Sequence, residues 1–170
     1  MGTVTAVSDD ALADLIADLT QRGLTMATAE SLTGGGLVAR LVDVPGAYHV
    51  VRGGACTYAV DTKASVLGVS ESQLALTGPV DEQVARQMAR GARELFHADI
   101  GVSTTGVAGP GPADGFPAGT VHIACAHPAG EEHRLLHLDG DRAAVRAGAI
   151  DAAIALVRDV LDFAGAQSGD

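Results

Sequence analysis

The stretch LTMATAESLTGGGLVARLV runs from Leu24 to Val42. Its first part, LTMATA, reads as a short strand. ESLTGGGLVARLV then reads as a turn leading into a helix that ends near Val42. Three consecutive glycines are costly inside a helix, so they mark the turn that precedes it. A strand feeding a helix through a tight turn is the repeating unit of an α/β domain.

The flanking sequence extends this pattern in both directions. Upstream, SDDALADLIADLTQRG places Leu12, Leu15, Ile16 and Leu19 on one helical face, and Gly23 is a ready stop. Downstream, PGAYHVVRGGACTYAV holds a strand from about Val50 to Val60, weakened by Gly53 and Gly54. Asp61 or Thr62 can cap a short helix through Leu67, and SESQLALTG reads as another. Asp81 can cap a longer helix with Val84, Met88, Ala92 and Leu95 on its buried face.

ADIGVSTTGVAG is a strand followed by a glycine-rich loop. GTVHIACAH and EHRLLHLDG are two strands joined around Pro128–Gly130. DRAAVRAGAIDAAIALVRDVLDFA is a final helix with Val145, Ile150, Ile154, Val157 and Leu161 in its stripe, and residues from about 165 to 170 read as a disordered tail. Helices interleave with strands early and a hairpin comes late. The expectation is a single α/β domain, a three-layer α/β/α sandwich with a mixed, mostly parallel sheet. Ligands of such sheets sit at the carboxyl ends of strands, where Ser31 and the loop after Thr105 both fall.

Composition narrows the function classes. The 170 residues are 47% hydrophobic but only 3% aromatic, so Ala, Val, Leu and Ile must build the core. Net charge is −10, which argues against nucleic acid as partner, because neutralising phosphates needs clustered Lys and Arg. MGTVTAVSDD has neither a basic segment nor an apolar run, and Ala6 breaks the myristoylation pattern. No apolar run approaches membrane-spanning length. Cys56 and Cys125 are isolated, and both are expected to be buried thiols in a reducing cytoplasm.

Three stretches can carry chemistry. In TAESLTGGG, from Thr28 to Gly36, a serine at a strand-to-helix turn lies beside backbone N–H groups that can stabilise an oxyanion or hold a phosphate. The same stretch also reads as an ordinary helix start capped by Ser31 or Thr33. TYAVDTKASV contains Lys63, the one lysine among eleven basic residues. A desolvated lysine can lose its proton and act as a base toward a serine hydroxyl, which arginine cannot do. Chance survival of one solvated lysine is the alternative reading. Tyr58 can relay a proton or orient that lysine, or can be a half-buried strand aromatic.

STTGVAGPGP, from Ser103 to Pro112, can present backbone N–H groups to an anion, or can be a long turn. It is neither a dinucleotide fingerprint nor a Walker A loop. His133 and His137 are four residues apart on an expected strand with no third ligand, and the other histidines are scattered, so no metal site is expected.

Taken in order, AESLTGG, TY followed by Lys63, LTGPVDEQV, TGVAGPGP, GTVHIA and GDRAAVR resemble the C-terminal domain of CinA, the competence/damage-inducible family. Stand-alone members of that family include nicotinamide-nucleotide amidases. The resemblance covers nearly the whole chain. It implies hydrolysis of the carboxamide of nicotinamide mononucleotide to nicotinate mononucleotide and ammonia, without cofactor or metal, in the cytoplasm and in a homo-oligomer. It implies Ser31 as nucleophile activated by Lys63 and Tyr58, with Thr33, Gly34 and Gly35 shaping the ligand loop. Thr105, Gly106, Ala108 and Gly109 would line the opposite wall.

The chain departs from the family pattern at several positions. Leu32 stands where the family usually has Cys, and Ala59-Val60 where it commonly has Ser-Asn. Gly53-Gly54, with Arg52 displaced by one, replaces Arg-Gly, and Asp81-Glu82 replaces Ser-Glu. Phe116 replaces a common lysine. A nucleotide-binding module without turnover and an amidase of a different small amide are the alternatives these changes raise.

Overall fold

A computed structural model describes residues 4–167 of the chain. The first helix, α1 (Asp9–Arg22), starts where Ser8 accepts a hydrogen bond from the Ala11 N–H and stops where Gly23 takes a left-handed φ of 66°. Leu12, Leu15, Ile16 and Leu19 are its buried stripe, as their spacing predicts. Strand β1 (Met26–Glu30) passes through the glycine turn into α2 (Gly36–Val42). A short 3-10 turn (Ala47–His49) leads to β2 (Val51–Cys56), then α3 (Val60–Leu67), α4 (Glu71–Thr77) and α5 (Glu82–Phe96). Strands β3 (Ile100–Gly106), β4 (Thr120–His127) and β5 (Gly130–His137) precede α6 (Arg142–Gln167).

The sheet order is β2-β1-β3-β4-β5. β1 pairs in parallel with both β2 and β3, whereas β4 runs antiparallel to β3 and to β5. Only β4 is reversed, so β1, β2 and β3 all end at one edge. One layer, from α1, α2 and α6, packs Leu15, Leu37, Leu41, Val157 and their neighbours on one sheet face. The other, from α3 and α5, packs Leu67, Val84, Met88 and Ala92 on the opposite face. β1 is buried along its whole length, and β3 up to its terminal Gly106, as strands covered on both sides should be.

Small residues set the spacing between layers. Gly101 of β3 lies so close to α5 that a Cβ there would overlap the Ala89 carbonyl oxygen. Ala85 and Ala89 of α5 meet Ala124 and Ala126 of β4 in an all-alanine cluster. A core with few aromatics therefore reaches high density by letting backbones approach, and each fully buried Leu adds about 1.5–3 kcal/mol. Gly53 and Gly54 serve the same end. A Cβ on Gly54 would overlap Thr28 Oγ1, and one on Gly53 would sit 2.6 Å from the Phe96 ring.

Several sequence expectations are corrected. The strand expected from Val50 to Val60 ends at Cys56, and Val60 opens α3 instead. The Thr57 N–H bonds the Glu30 carbonyl at 2.8 Å, and the chain then turns across the sheet edge. Ala59, not Asp61 or Thr62, occupies the N-cap of α3, and Asp61 sits in its first turn. Leu95 is exposed near the end of α5, outside the buried face. Cys56 is exposed, so only Cys125 is a buried thiol. Helix α6 continues through Gln167, which replaces the tail expected there; residues 168–170 lie outside the described residues. No helix among the described residues is long and apolar enough to cross a membrane.

Candidate active site

Ser31 follows the last residue of β1, and its N–H bonds the Thr104 carbonyl of β3 at 3.0 Å. The turn after it is held from outside by Arg146 of α6. That guanidinium donates to the Leu32 and Thr33 carbonyls, both at 2.9 Å. The serine hydroxyl is therefore fixed at the carboxyl edge of the sheet on a backbone that α6 braces.

Lys63, one turn into α3, reaches the same point. Its Nζ lies 2.9 Å from Ser31 Oγ and also donates to the Thr57 carbonyl. The side chain is fully buried. Burial disfavours its charged form and lowers its pKa from 10.5 to about 8, partly opposed by the Asp114 carboxylate. The two residues are 32 positions apart in the chain, and the β2–α3 turn closes that distance.

Both open onto a cavity of about 220 Å³ whose walls include Ser31, Lys63, Tyr58, Thr105, Ala108 and Arg142. Gly106 and Gly109 also line it, and glycine can present only backbone to a ligand. Thr105, Gly106, Ala108 and Gly109 thus line the same cavity as Ser31. The Thr105 hydroxyl itself donates to the Pro79 carbonyl at 2.7 Å, so it braces the wall. The cavity is smaller than the roughly 300–1,000 Å³ typical of ligand pockets.

Tyr58 stands at the rim, largely exposed, and its hydroxyl accepts a 2.9 Å bond from Arg142. Arg142 also donates to the Gly109 carbonyl at 2.7 Å. Tyr58 thus belongs to the cavity, but its hydroxyl is paired with Arg142, not with Ser31 or Lys63.

Thr33, Gly34 and Gly35 do not line the cavity. Thr33 is buried, with its hydroxyl 2.7 Å from Glu30 Oε1 and 2.8 Å from Thr104 Oγ1. Gly34 and Gly35 take φ of 59° and 93°, left-handed values that the turn into α2 requires.

The cause is Glu30, a residue that sequence reasoning passed over. Its carboxylate is fully buried and accepts from Thr28 Oγ1, Thr33 Oγ1 and the Leu37 and Val38 N–H groups at 2.7–3.1 Å. The helix N–H groups expected to serve a ligand are therefore taken by a side chain. A helix of seven residues with no acidic residue in its own first turn is capped instead from the preceding strand. An acidic residue directly before a glycine-rich helix start was the available signal.

Phe116 is absent from the cavity lining. It lies in a separate groove with Val80, Thr120, His122 and His137. His122 Nδ1 and His133 Nε2 are 2.9 Å apart, so these two histidines form a pair across the β4–β5 hairpin. Val60 does line the Ser31 cavity.

The site is thus a buried lysine set on a strand-end serine at the edge of a mixed α/β sandwich. The family follows from comparison. The model of the CinA C-terminal domain matches residues 9–161, and the chain belongs to that family. A CinA-like protein of Frankia casuarinae is 47% identical over 155 residues, which is 91% of this chain and 36% of that protein. A putative competence-damage inducible protein of Desulforamulus reducens is 42% identical over 84% of this chain and 35% of its own length. The chain thus spans about a third of these relatives. A crystal structure of a CinA superfamily protein from Escherichia coli superposes with a TM-score of 0.86 at 32% identity, covering 93% of this chain and 95% of the other. The competence/damage inducible protein CihA of Agrobacterium tumefaciens gives 0.86 at 33% identity, over 94% and 98%.

Proposed function

We propose that the protein is a serine amidase that converts the carboxamide of nicotinamide mononucleotide to a carboxylate and ammonia, in the cytoplasm. The observation that carries this reading is the 2.9 Å separation of Lys63 Nζ and Ser31 Oγ inside a cavity. Neutral Lys63 has two N–H groups and one lone pair. One N–H is anchored on the Thr57 carbonyl, which leaves the lone pair for the Ser31 hydroxyl.

Lys63 takes the Ser31 proton as Oγ bonds to the carboxamide carbon. The tetrahedral intermediate then collapses. Its C–N bond breaks, the proton passes from Lys63 to the leaving nitrogen, and ammonia departs from a Ser31 ester. Water, deprotonated by Lys63, attacks that ester; the C–Oγ bond breaks and the proton returns to Ser31. In this reading the Ala108 and Gly109 N–H groups, on the cavity wall, receive the oxyanion. Arg142, the other cation of the cavity, is available to a phosphate.

Purified protein should release ammonia from nicotinamide mononucleotide, and Ser31→Ala should abolish release. No release at high enzyme concentration would sink the substrate assignment, and a panel of amides with and without phosphate would then locate the true one.

The pH profile is a second expectation. The lysine works as its neutral form, so kcat/KM should rise with pH through a midpoint at about 8 and level off above it. A flat profile between pH 6.5 and 9.5 would remove Lys63 as the base.

A further inference from the structure

The connection between β3 and β4 folds over the cavity and carries one acidic residue into its lining, Asp114. Asp114 and Gly115 have φ of 52° and 82°. They form a two-residue hairpin turn closed by reciprocal backbone bonds between Ala113 and Phe116, at 3.0 and 2.9 Å. Two consecutive left-handed residues are the signature of a type I′ turn, where Asp or Asn followed by Gly is favoured. The turn therefore fixes the backbone of Asp114 at the cavity wall, with its side chain exposed there.

Three charged side chains line this cavity: Lys63, Asp114 and Arg142. Arg142 bonds the neutral Gly109 carbonyl and Tyr58 hydroxyl at the rim and keeps its charge for an anion. Lys63 must be neutral when it takes a proton from Ser31. In that working state Asp114 has lost one cationic neighbour, and among the described residues its carboxylate makes no hydrogen bond or ion pair. A ligand cation at this position would restore the balance.

We infer that Asp114 is a specificity-determining residue that selects substrates whose amide-bearing ring is positively charged. This rests on the amidase reading above and extends it. In an N-substituted pyridinium carboxamide the ring carries the positive charge close to the amide that Ser31 attacks. With a phosphate toward Arg142 and the ring toward Asp114, the cavity's two opposite charges match a zwitterionic ligand. The corresponding dihydropyridine has the same shape and amide but no ring charge, so Asp114 discriminates between the two.

The test uses Ser31→Ala protein, which cannot turn over, in calorimetric titrations with N-methylnicotinamide cation and with neutral nicotinamide. The cation should bind about five- to tenfold more tightly, the range for a partly exposed charge pair. Asp114→Asn keeps a residue that tolerates the left-handed turn and should bring the ratio to about one. In turnover assays with Ser31 intact, Asp114→Asn should raise KM for the oxidised nucleotide and leave KM for its dihydropyridine form unchanged.

A preference that survives Asp114→Asn, binding of neither fragment, or a change confined to the pH midpoint of kcat would overturn the inference. That last outcome would mean that Asp114 acts only on Lys63. Absence of ammonia release with an Asp114-dependent ring-charge preference would overturn the amidase reading and leave Asp114 as the residue that selects a positively charged ring in binding.

Discussion

Lys63→Arg is expected to lower kcat for amide hydrolysis about a thousandfold, because arginine keeps the charge but cannot yield its proton. Lys63→Met should lose as much activity, yet be at least as stable as the wild type near neutral pH. The sign follows from the lowered pKa. Below about pH 8, folded and unfolded chains both hold the proton, and the cost of burying the ammonium is fully present. Between about 8 and 10.5 the unfolded state binds more protons than the folded one, so wild-type stability rises with pH. The whole rise is on the order of 3 kcal/mol and should vanish in Lys63→Met. Initial rates with urea melts at pH 7 and 10 check both parts. Full activity in Lys63→Arg would remove the lysine from the proton path.

Glu30→Ala should destabilise the fold by on the order of 3–5 kcal/mol, the scale seen when one member of a buried charged network is removed. Two hydroxyls and the Leu37 and Val38 N–H groups would lose their common acceptor. Glu30→Gln should be milder but still costly, since its amide N–H groups would face donors. Because the same contacts shape the turn behind Ser31, activity should fall with the urea midpoint. An unchanged midpoint for Glu30→Ala would mean that water replaces the carboxylate at no cost, which full burial of Glu30 opposes.

These two residues differ in how far the sequence disclosed them. Lys63 stood out because arginine carries every other basic side chain. Glu30 did not, since a glutamate after a strand is ordinarily solvated, and only the folded sheet edge places four donors around it. Helix α1 was legible because its apolar stripe and glycine stop agree. The end of β2 was not. No glycine or proline follows Cys56; the last ladder bond runs from the Thr57 N–H to the Glu30 carbonyl, 27 positions earlier, where the partner strand β1 ends. Tyr58 looked like a partner of Lys63 by proximity in sequence, whereas the fold brings Arg142 to it from 84 positions away.

The reversal of β4 has a consequence for the carboxyl edge of the sheet. In a fully parallel sheet the segment after β3 would cross back as a helix and leave the carboxyl edge open. Here the chain returns along the same edge, so residues 107–119 become a strap over Ser31 and Lys63. The strap is fastened at its base, where Gly119 bonds Val107, Val107 bonds Thr120 and Leu138 bonds Gly119. In the proposed amidase, Ser31 at the sheet edge and Lys63 on α3 would do the chemistry, while the tip of the strap, with Asp114, would meet the rest of the ligand.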